Sequence, residues 1–297
     1  MASPLSSSPQ EAAQRHYSYT VADAFTDTPL CGNPVAVFAH ASGLSATDMQ
    51  RIARELNLSE TTFVFPPQSG GDHHVRIFTP VNELPFAGHP TLGTAAVLGR
   101  ASDRNELVIE TGMGPVPCVL ERNGNGERDV CAVSMEQPIP TWSVYELSDL
   151  LLEGLGLTGS TLPIEVYRNG PRHVFVGLPD IAQLSALKPD LRVLAKLPDV
   201  AINCFAGANQ HWRMRMFSPA YGVSEDAATG SAAGPLALHL IRHGLLDFGK
   251  TLHIEQGVEM ERRSVMHATV FGSLTEPGPI CVSGGVTIVA EGRLVRW

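Results

Sequence analysis

Arg76-Ile77-Phe78-Thr79-Pro80 returns later in the chain as Arg215-Met216-Phe217-Ser218-Pro219, at a separation of 139 residues. Each copy leads into a glycine-bearing turn and then an Ala/Leu-rich run. In the first, Ala87-Gly88-His89-Pro90 opens residues 91–98; in the second, Thr229-Gly230-Ser231-Ala232 opens residues 233–238. Gly88 and Gly230 are 142 apart, so the second copy carries three extra residues before its turn. Upstream, Leu44-Ser45-Ala46 returns as Leu184-Ser185-Ala186 at a separation of 140. Three matches in one order at nearly constant separation predict a duplicated α/β fold.

The rest of the chain agrees with two halves. Its 297 residues are about twice the usual domain length of roughly 150. With 43% hydrophobic and 17% charged residues, such a chain buries a full core and is not disordered. No stretch reaches the roughly 20 apolar residues that span a membrane as a helix. A net charge of -9 and the lack of any Lys/Arg-rich run argue against nucleic acid as a partner, though not against a small anionic substrate. Cys31, Cys118, Cys131, Cys204 and Cys281 form no CxxC pair, and an odd, scattered set is a poor disulfide framework. A reducing, cytoplasmic setting follows. Residues 1–16 lack the apolar segment of a secretion signal and read as a flexible tail. The Pro-rich residues 136–141 separate an N-terminal domain (17–135) from a C-terminal one (142–297).

Local patterns place the elements. Val35 to Phe38 reads as a short buried strand after Gly32-Asn33-Pro34. Ser45, with Asp48 three residues on, is an N-cap, and Met49, Ile52, Ala53 and Leu56 form the apolar stripe of a surface helix. Thr61 to Phe65 and Val75 to Thr79 read as strands. Pro90, taken as the first helical residue, sets His89 near the N-cap of a buried helix, and Ser231 opens a second that Gly244 stops. Each half is therefore a curved mixed sheet wrapped on one central helix.

The two helix starts are the informative feature. A helix N-terminus offers unpaired N–H groups and a partial positive charge, and so binds carboxylate or phosphate. If the halves face each other, Gly88-His89 and Gly230-Ser231 frame one cleft; otherwise they are turn glycines before buried helices. Glu60 opens an apolar strand, where it is either an exposed charge or a desolvated carboxyl with a raised pKa, suited to removing a carbon-bound proton. His89 is either a cap or a neutral hydrogen-bonding group. Asp226 is either a cap or a catalytic carboxylate. His239 and His243 lie four apart on one helix face but lack the Glu of HExxH, so a zinc site is disfavoured. No G-x-S-x-G, P-loop or strand-borne GxGxxG is present, which disfavours a nicotinamide or nucleoside triphosphate cofactor.

At these residues the chain resembles the PhzF family of phenazine biosynthesis proteins, which have the diaminopimelate epimerase fold. The likeness runs from about Tyr17 onward, and folds of this type imply that the last strand, Val286 to Ala290, can return to the first half. It is densest at Asp23-Ala24-Phe25, residues 32–38, Asn57-Leu58-Ser59-Glu60-Thr61, residues 82–90 and residues 225–234. Residues 163–177 and 216–222 look like the phenazine-pathway isomerase among its members. The resemblance implies a cofactor-free homodimeric isomerase of trans-2,3-dihydro-3-hydroxyanthranilate. It implies that Glu60 moves a proton from C3 to C1 while His89 and Asp226 assist. Gly88, Gly230, Ser231 and Ser59 would hold the substrate. Amino-acid epimerases of this fold carry a cysteine in each half; the matching positions here are Ala87 and Thr229, so two-thiol epimerisation is disfavoured. A related isomerase acting on another small amino or hydroxy acid is the alternative enzyme. A non-catalytic protein that holds a precursor is the alternative class. The chain departs from the family pattern at Met260 to Ser264, which lacks the usual Gly and Pro after Gln256-Gly257.

Overall fold

A computed structural model of the chain describes residues 16–123 and 129–295. The proposed tail, His16 apart, lies outside the described residues. The first half runs β1 (Tyr17–Ala24), β2 (Asn33–Phe38), α1 (Ala46–Leu56), β3 (Glu60–Phe65), β4 (His73–Phe78), the short β5 (Glu83–Leu84), α2 (Gly88–Gly99), β6 (Glu106–Thr111), β7 (Gly114–Arg122) and β8 (Val130–Gln137). The second half runs β9 (Thr141–Val144), α3 (Ser148–Leu155), β10 (Glu165–Arg168), β11 (Arg172–Gly177), α4 (Ile181–Ala186), α5 (Leu191–Leu194), β12 (Ala201–Ala208), β13 (His211–Ser218), β14 (Val223–Asp226), α6 (Gly230–Arg242), β15 (Thr251–Gln256), β16 (Ser264–Gly272) and β17 (Pro277–Leu294). Among the described residues no helix is long and apolar enough to cross a membrane.

Strand pairing closes the first half into a barrel. β1 pairs with β2, β2 runs parallel to β3, β3 pairs with β4, and β4 runs parallel to β6. β6, β7 and β8 follow antiparallel, and β8 meets β17, whose far end returns to β1. The second half repeats this order. β10, β11, β12, β13, β15 and β16 lie side by side, with parallel steps at β11–β12 and β13–β15. The near end of β17 then pairs with β16 and β8, and β9 covers the outer edge of β10. Val286 pairs with Ala24 and Ala290 with Val21, so the last strand completes the barrel of the first half.

The duplication is visible at atomic detail. Arg76 grips Glu83 through two hydrogen bonds of 2.7 and 2.6 Å and lies over Phe78; Arg215 grips Glu225 at 2.8 and 2.9 Å and lies over Phe217. A planar fork on a carboxylate fixes both atoms of each group, which pins the same hairpin in both halves.

α2 and α6 fill the two barrels. Both are buried nearly all round, as helices without a polar face must be. α1 instead covers the outside through Met49, Ile52 and Ala53. Its Ser45 and Asp48 form a reciprocal capping box, and Asn57 closes it in the left-handed region at φ 51°. The central helices start earlier than their sequence suggests. Ala87 caps α2 and Thr229 caps α6, so Pro90 is the third residue of its helix and Ser231 the second. Pro90 remains in the first turn, where the missing N–H costs no helical bond. Pro235 lies deeper in α6 and leaves the Ser231 carbonyl without its usual donor; the Asn169 amide supplies one at 2.9 Å.

Candidate active site

The N-termini of α2 and α6 abut. A Cβ built on Gly88 would lie 2.3 Å from the Ser231 nitrogen, and one on Gly230 would meet the Phe25 ring at 2.6 Å. The two starts therefore approach as closely as backbone allows, and only glycine fits at Gly88. Between the halves lies a partly enclosed cavity whose walls come from both of them. Glu60, His89 and Asp226 line it, as do Gly88, Gly230 and Ser231. The structure thus gathers six of the seven sequence-expected residues. Ser59 does not line the cavity; its hydroxyl lies 3.3 Å from both Asp226 Oδ1 and Asn33 Oδ1.

Register shows how the duplication is broken at this site. Thr61 pairs with Phe78 as Ile202 pairs with Phe217, which makes Ala201 the counterpart of Glu60. Ile77 faces Leu84 as Met216 faces Asp226, which makes Leu84 the counterpart of Asp226. One half supplies one carboxyl and the other half supplies the second, each opposite an apolar equivalent. Ala87 and Thr229 occupy the equivalent helix caps, and no cysteine among the described residues lines the cavity.

The two carboxyls differ in their partners. Asp226 accepts hydrogen bonds from Asn33 Nδ2 and Thr229 Oγ1, both at 2.7 Å. Burial nonetheless raises its pKa to about 6. Gln256 braces this loop, accepting from the Thr229 N–H at 3.0 Å and donating to the Asp226 carbonyl at 2.8 Å. Glu60 has no such donors. Burial, and then the neighbouring Asp226 charge, push its pKa well above the usual carboxyl value. Two adjacent carboxyls resist joint ionisation, and the one that accepts hydrogen bonds keeps the charge. Asp226 is the anion of the pair; Glu60 holds the proton.

His89 completes the arrangement. Its Nε2 lies 3.2 Å from Glu60 Oε2. Burial holds its pKa near 3, against a hydrogen bond to the Pro34 carbonyl, so the ring is neutral. Asn33 Nδ2 lies 3.2 Å from His89 Nδ1 and donates to the Ala228 carbonyl at 2.9 Å. His89 Nε2 and Glu60 Oε2 have no other hydrogen-bond partner, so the neutral ring and the carboxyl face each other alone at this point of the site. Asn33 and Gln256 were not singled out in the sequence. Their partners lie 193 and 30 residues away, and only the fold joins them.

A second polar cluster lies at the other end of α6. Glu165 Oε2 lies 3.1 Å from His239 Nδ1, 3.1 Å from His243 Nε2 and 2.6 Å from Arg242 Nη1. The two histidines set aside as zinc ligands do converge with a carboxylate, but a guanidinium already occupies the shared oxygen.

Residues 22–292 match the family described as phenazine biosynthesis-like protein, PhzC-PhzF. The chain belongs to this family. Within it, the chain is 59% identical over 277 residues to the trans-2,3-dihydro-3-hydroxyanthranilate isomerase of Pseudomonas aeruginosa, covering 93% of this chain and 99% of that protein. A PhzF-family protein of Bacillus anthracis superposes with a TM-score of 0.80 at 28% identity, over 94% of this chain and 99% of that one. A hydroxyproline epimerase of Agrobacterium vitis shares the fold, with a TM-score of 0.63 at 13% identity over 95% and 93% of the two chains. The PhzC-PhzF family and the epimerases thus share one duplicated α+β architecture.

Proposed function

We propose that this chain is an isomerase that converts trans-2,3-dihydro-3-hydroxyanthranilate into its aminoketone by moving a proton from C3 to C1. The observation that carries the reading is Glu60. It is a largely buried carboxyl with a raised pKa beside two abutting helix N-termini, in a chain 59% identical to a protein named for that reaction. The substrate carries a carboxylate, an amine and a hydroxyl, and the cavity offers a complement to each charged group. The helix starts at Gly88 and Gly230-Ser231 bind the carboxylate through N–H groups and dipole. Asp226 receives the amine as an ammonium. That cation offsets the repulsion between the two carboxyls, so Glu60 ionises as substrate binds.

The ionised Glu60 then takes the C3 proton, and the electron pair shifts through the ring diene toward C1. Glu60 returns the proton to C1 from the same face, leaving an enol at C3 that tautomerises to the ketone. Atoms and charge balance without any further reactant. Neutral His89 keeps Glu60 oriented through the 3.2 Å contact and adds no competing charge. Asn33, Ser59 and Gln256 hold Asp226 and its loop in place.

Proton NMR of the substrate in deuterated buffer tests the reading. Wild type is expected to remove the C3 proton signal as the aminoketone grows, and Glu60→Gln to leave the substrate unchanged. An unaltered spectrum with wild type overturns the isomerase assignment; turnover by both removes Glu60 from the chemistry. The five unpaired cysteines and the family likeness support a cytoplasmic homodimer, and light scattering of the purified protein checks the dimer.

A further inference from the structure

The wall facing Glu60 holds one polar group that the mechanism leaves unused. His173 lies on β11, 1% exposed, and lines the cavity. Its Nε2 has no hydrogen-bond partner, which is rare for a buried ring nitrogen. Its Nδ1 faces the Asn203 amide nitrogen at 3.5 Å. Asn203 cannot be turned round, because the same nitrogen donates to the Ala201 carbonyl at 2.9 Å and the Val174 carbonyl at 3.3 Å. An amide nitrogen cannot accept a hydrogen bond, so an Nδ1–H would have no acceptor there and the proton is placed on Nε2. The cavity wall therefore contains one N–H donor with nothing to donate to.

The duplication is an internal control on what the fold itself requires. β2 pairs Val35 with Glu60, and β11 pairs His173 with Ala201. Since Ala201 is the counterpart of Glu60, Val35 is the counterpart of His173. The first half packs this position with a buried valine against α2. An unpartnered histidine at the same place in the second half is not a need of the barrel.

Apart from Ser231, at the helix start assigned to the carboxylate, the remaining polar side chains of the cavity are committed. Thr79 donates to Asn82, Ser218 to the Val200 carbonyl, Tyr221 to Asp199 and Thr229 to Asp226. On the reading above, the substrate's carboxylate and amine also have their partners; its hydroxyl does not. We propose that His173 is a substrate-contacting, specificity-determining residue whose Nε2–H donates a hydrogen bond to the hydroxyl oxygen on C3. This inference rests on the isomerase reading. A buried donor left unpaired penalises any ligand lacking that oxygen, so the site selects for hydroxylated rings.

Calorimetry with two stable aromatic analogues, 3-hydroxyanthranilate and anthranilate, tests the assignment. Wild type is expected to bind the hydroxylated acid at least about tenfold more tightly, the effect of one buried donor left unmatched. His173→Val, which installs the side chain used by the first half, is expected to abolish that preference while changing the anthranilate Kd less than about twofold. His173→Gln, which keeps an N–H donor, is expected to restore part of it. In parallel, wild type labelled with 15N-histidine is read by NMR, which needs no variant to fold. One Nε2 resonance, identified as that of His173, is expected to move with 3-hydroxyanthranilate and to stay with anthranilate. A preference that survives in His173→Val, or a His173 resonance that responds alike to both acids, overturns the assignment alone. Failure of wild type to bind either acid overturns the isomerase reading, and this inference with it.

Discussion

At the scale of single residues, the site works through unequal hydrogen bonding of two carboxyls. Asp226 has donors and Glu60 has none, so their shared proton rests on Glu60 until a cation arrives. The activity profile should carry this signature. Glu60 must be ionised to accept a proton, so kcat/KM is expected to fall as pH drops through its raised pKa. Asp226→Asn removes the like charge and lowers that pKa, so the acid limb is expected to move to lower pH even as substrate binding weakens. His89, with its pKa near 3, adds no limb above pH 5. A stability consequence follows from the same shift. A folded-state pKa above the usual 4.5 means that ionising Glu60 costs folding energy once pH exceeds that value. Glu60→Gln is thus expected to be more stable than wild type at pH 8, by on the order of 1 kcal/mol, and to lose this gain at pH 4. Differential scanning calorimetry at both values checks it. Their places beside strand and helix starts made Glu60, His89 and Asp226 candidates in the sequence, and the family resemblance supplied their roles. Asn33 and His173 were not legible as site residues. Their importance lies in partners absent or brought from far along the chain, which composition and spacing do not encode.

At the scale of elements, the central helices are fixed at both ends by different means. At its C-terminus α6 is clasped by Glu165, on which His239, Arg242 and His243 converge. Those donors hold the Glu165 carboxyl far below the usual range, against burial. Its contribution is therefore complete above pH 4.5 and lost as pH falls; His239, buried and held below the usual 6.5, adds to the same trend. Glu165→Gln leaves a guanidinium without its anion and is expected to cost about 3 kcal/mol in urea unfolding at pH 7. The effect should shrink toward pH 3. At the N-terminal end the fixed distance is between backbones. A methyl on Gly88 has backbone 2.3 Å away, which cannot yield without separating the halves. Gly88→Ala is expected to abolish binding of 3-hydroxyanthranilate and to cost about 3 kcal/mol. The helices themselves were legible from their apolar runs, but their first residues were misplaced by one or two, because neither Ala87 nor Thr229 caps its helix with a side chain.

At the scale of the whole molecule, the halves are not independent barrels. β17 is 18 residues long; its first part belongs to the second sheet and its last part closes the first, from Val286 on Ala24 to Leu294 on Tyr17. A fragment of residues 1–140 lacks a wall of its barrel and exposes the edges of β1 and β8. It is expected to stay unfolded by circular dichroism, while the full chain melts in one cooperative transition. A folded fragment with its own melting transition would show that the shared strand is dispensable. The repeat made two halves legible in the sequence, since its copies lie at near-constant separation. The closure is harder to read, because β1 and β17 pair across nearly the whole chain and no local pattern joins them.

Ala201 stands where Glu60 stands in the other half, and this inequality bears on the handedness of what leaves the site. A pair of bases on opposite walls would scramble a stereocentre. One carboxyl, on one wall, delivers hydrogen to a single face of the ring, so the new centre at C1 forms as one enantiomer. It also returns, in part, the same hydrogen it removed: a substrate deuterated at C3 should carry some of its label into the product even in ordinary water.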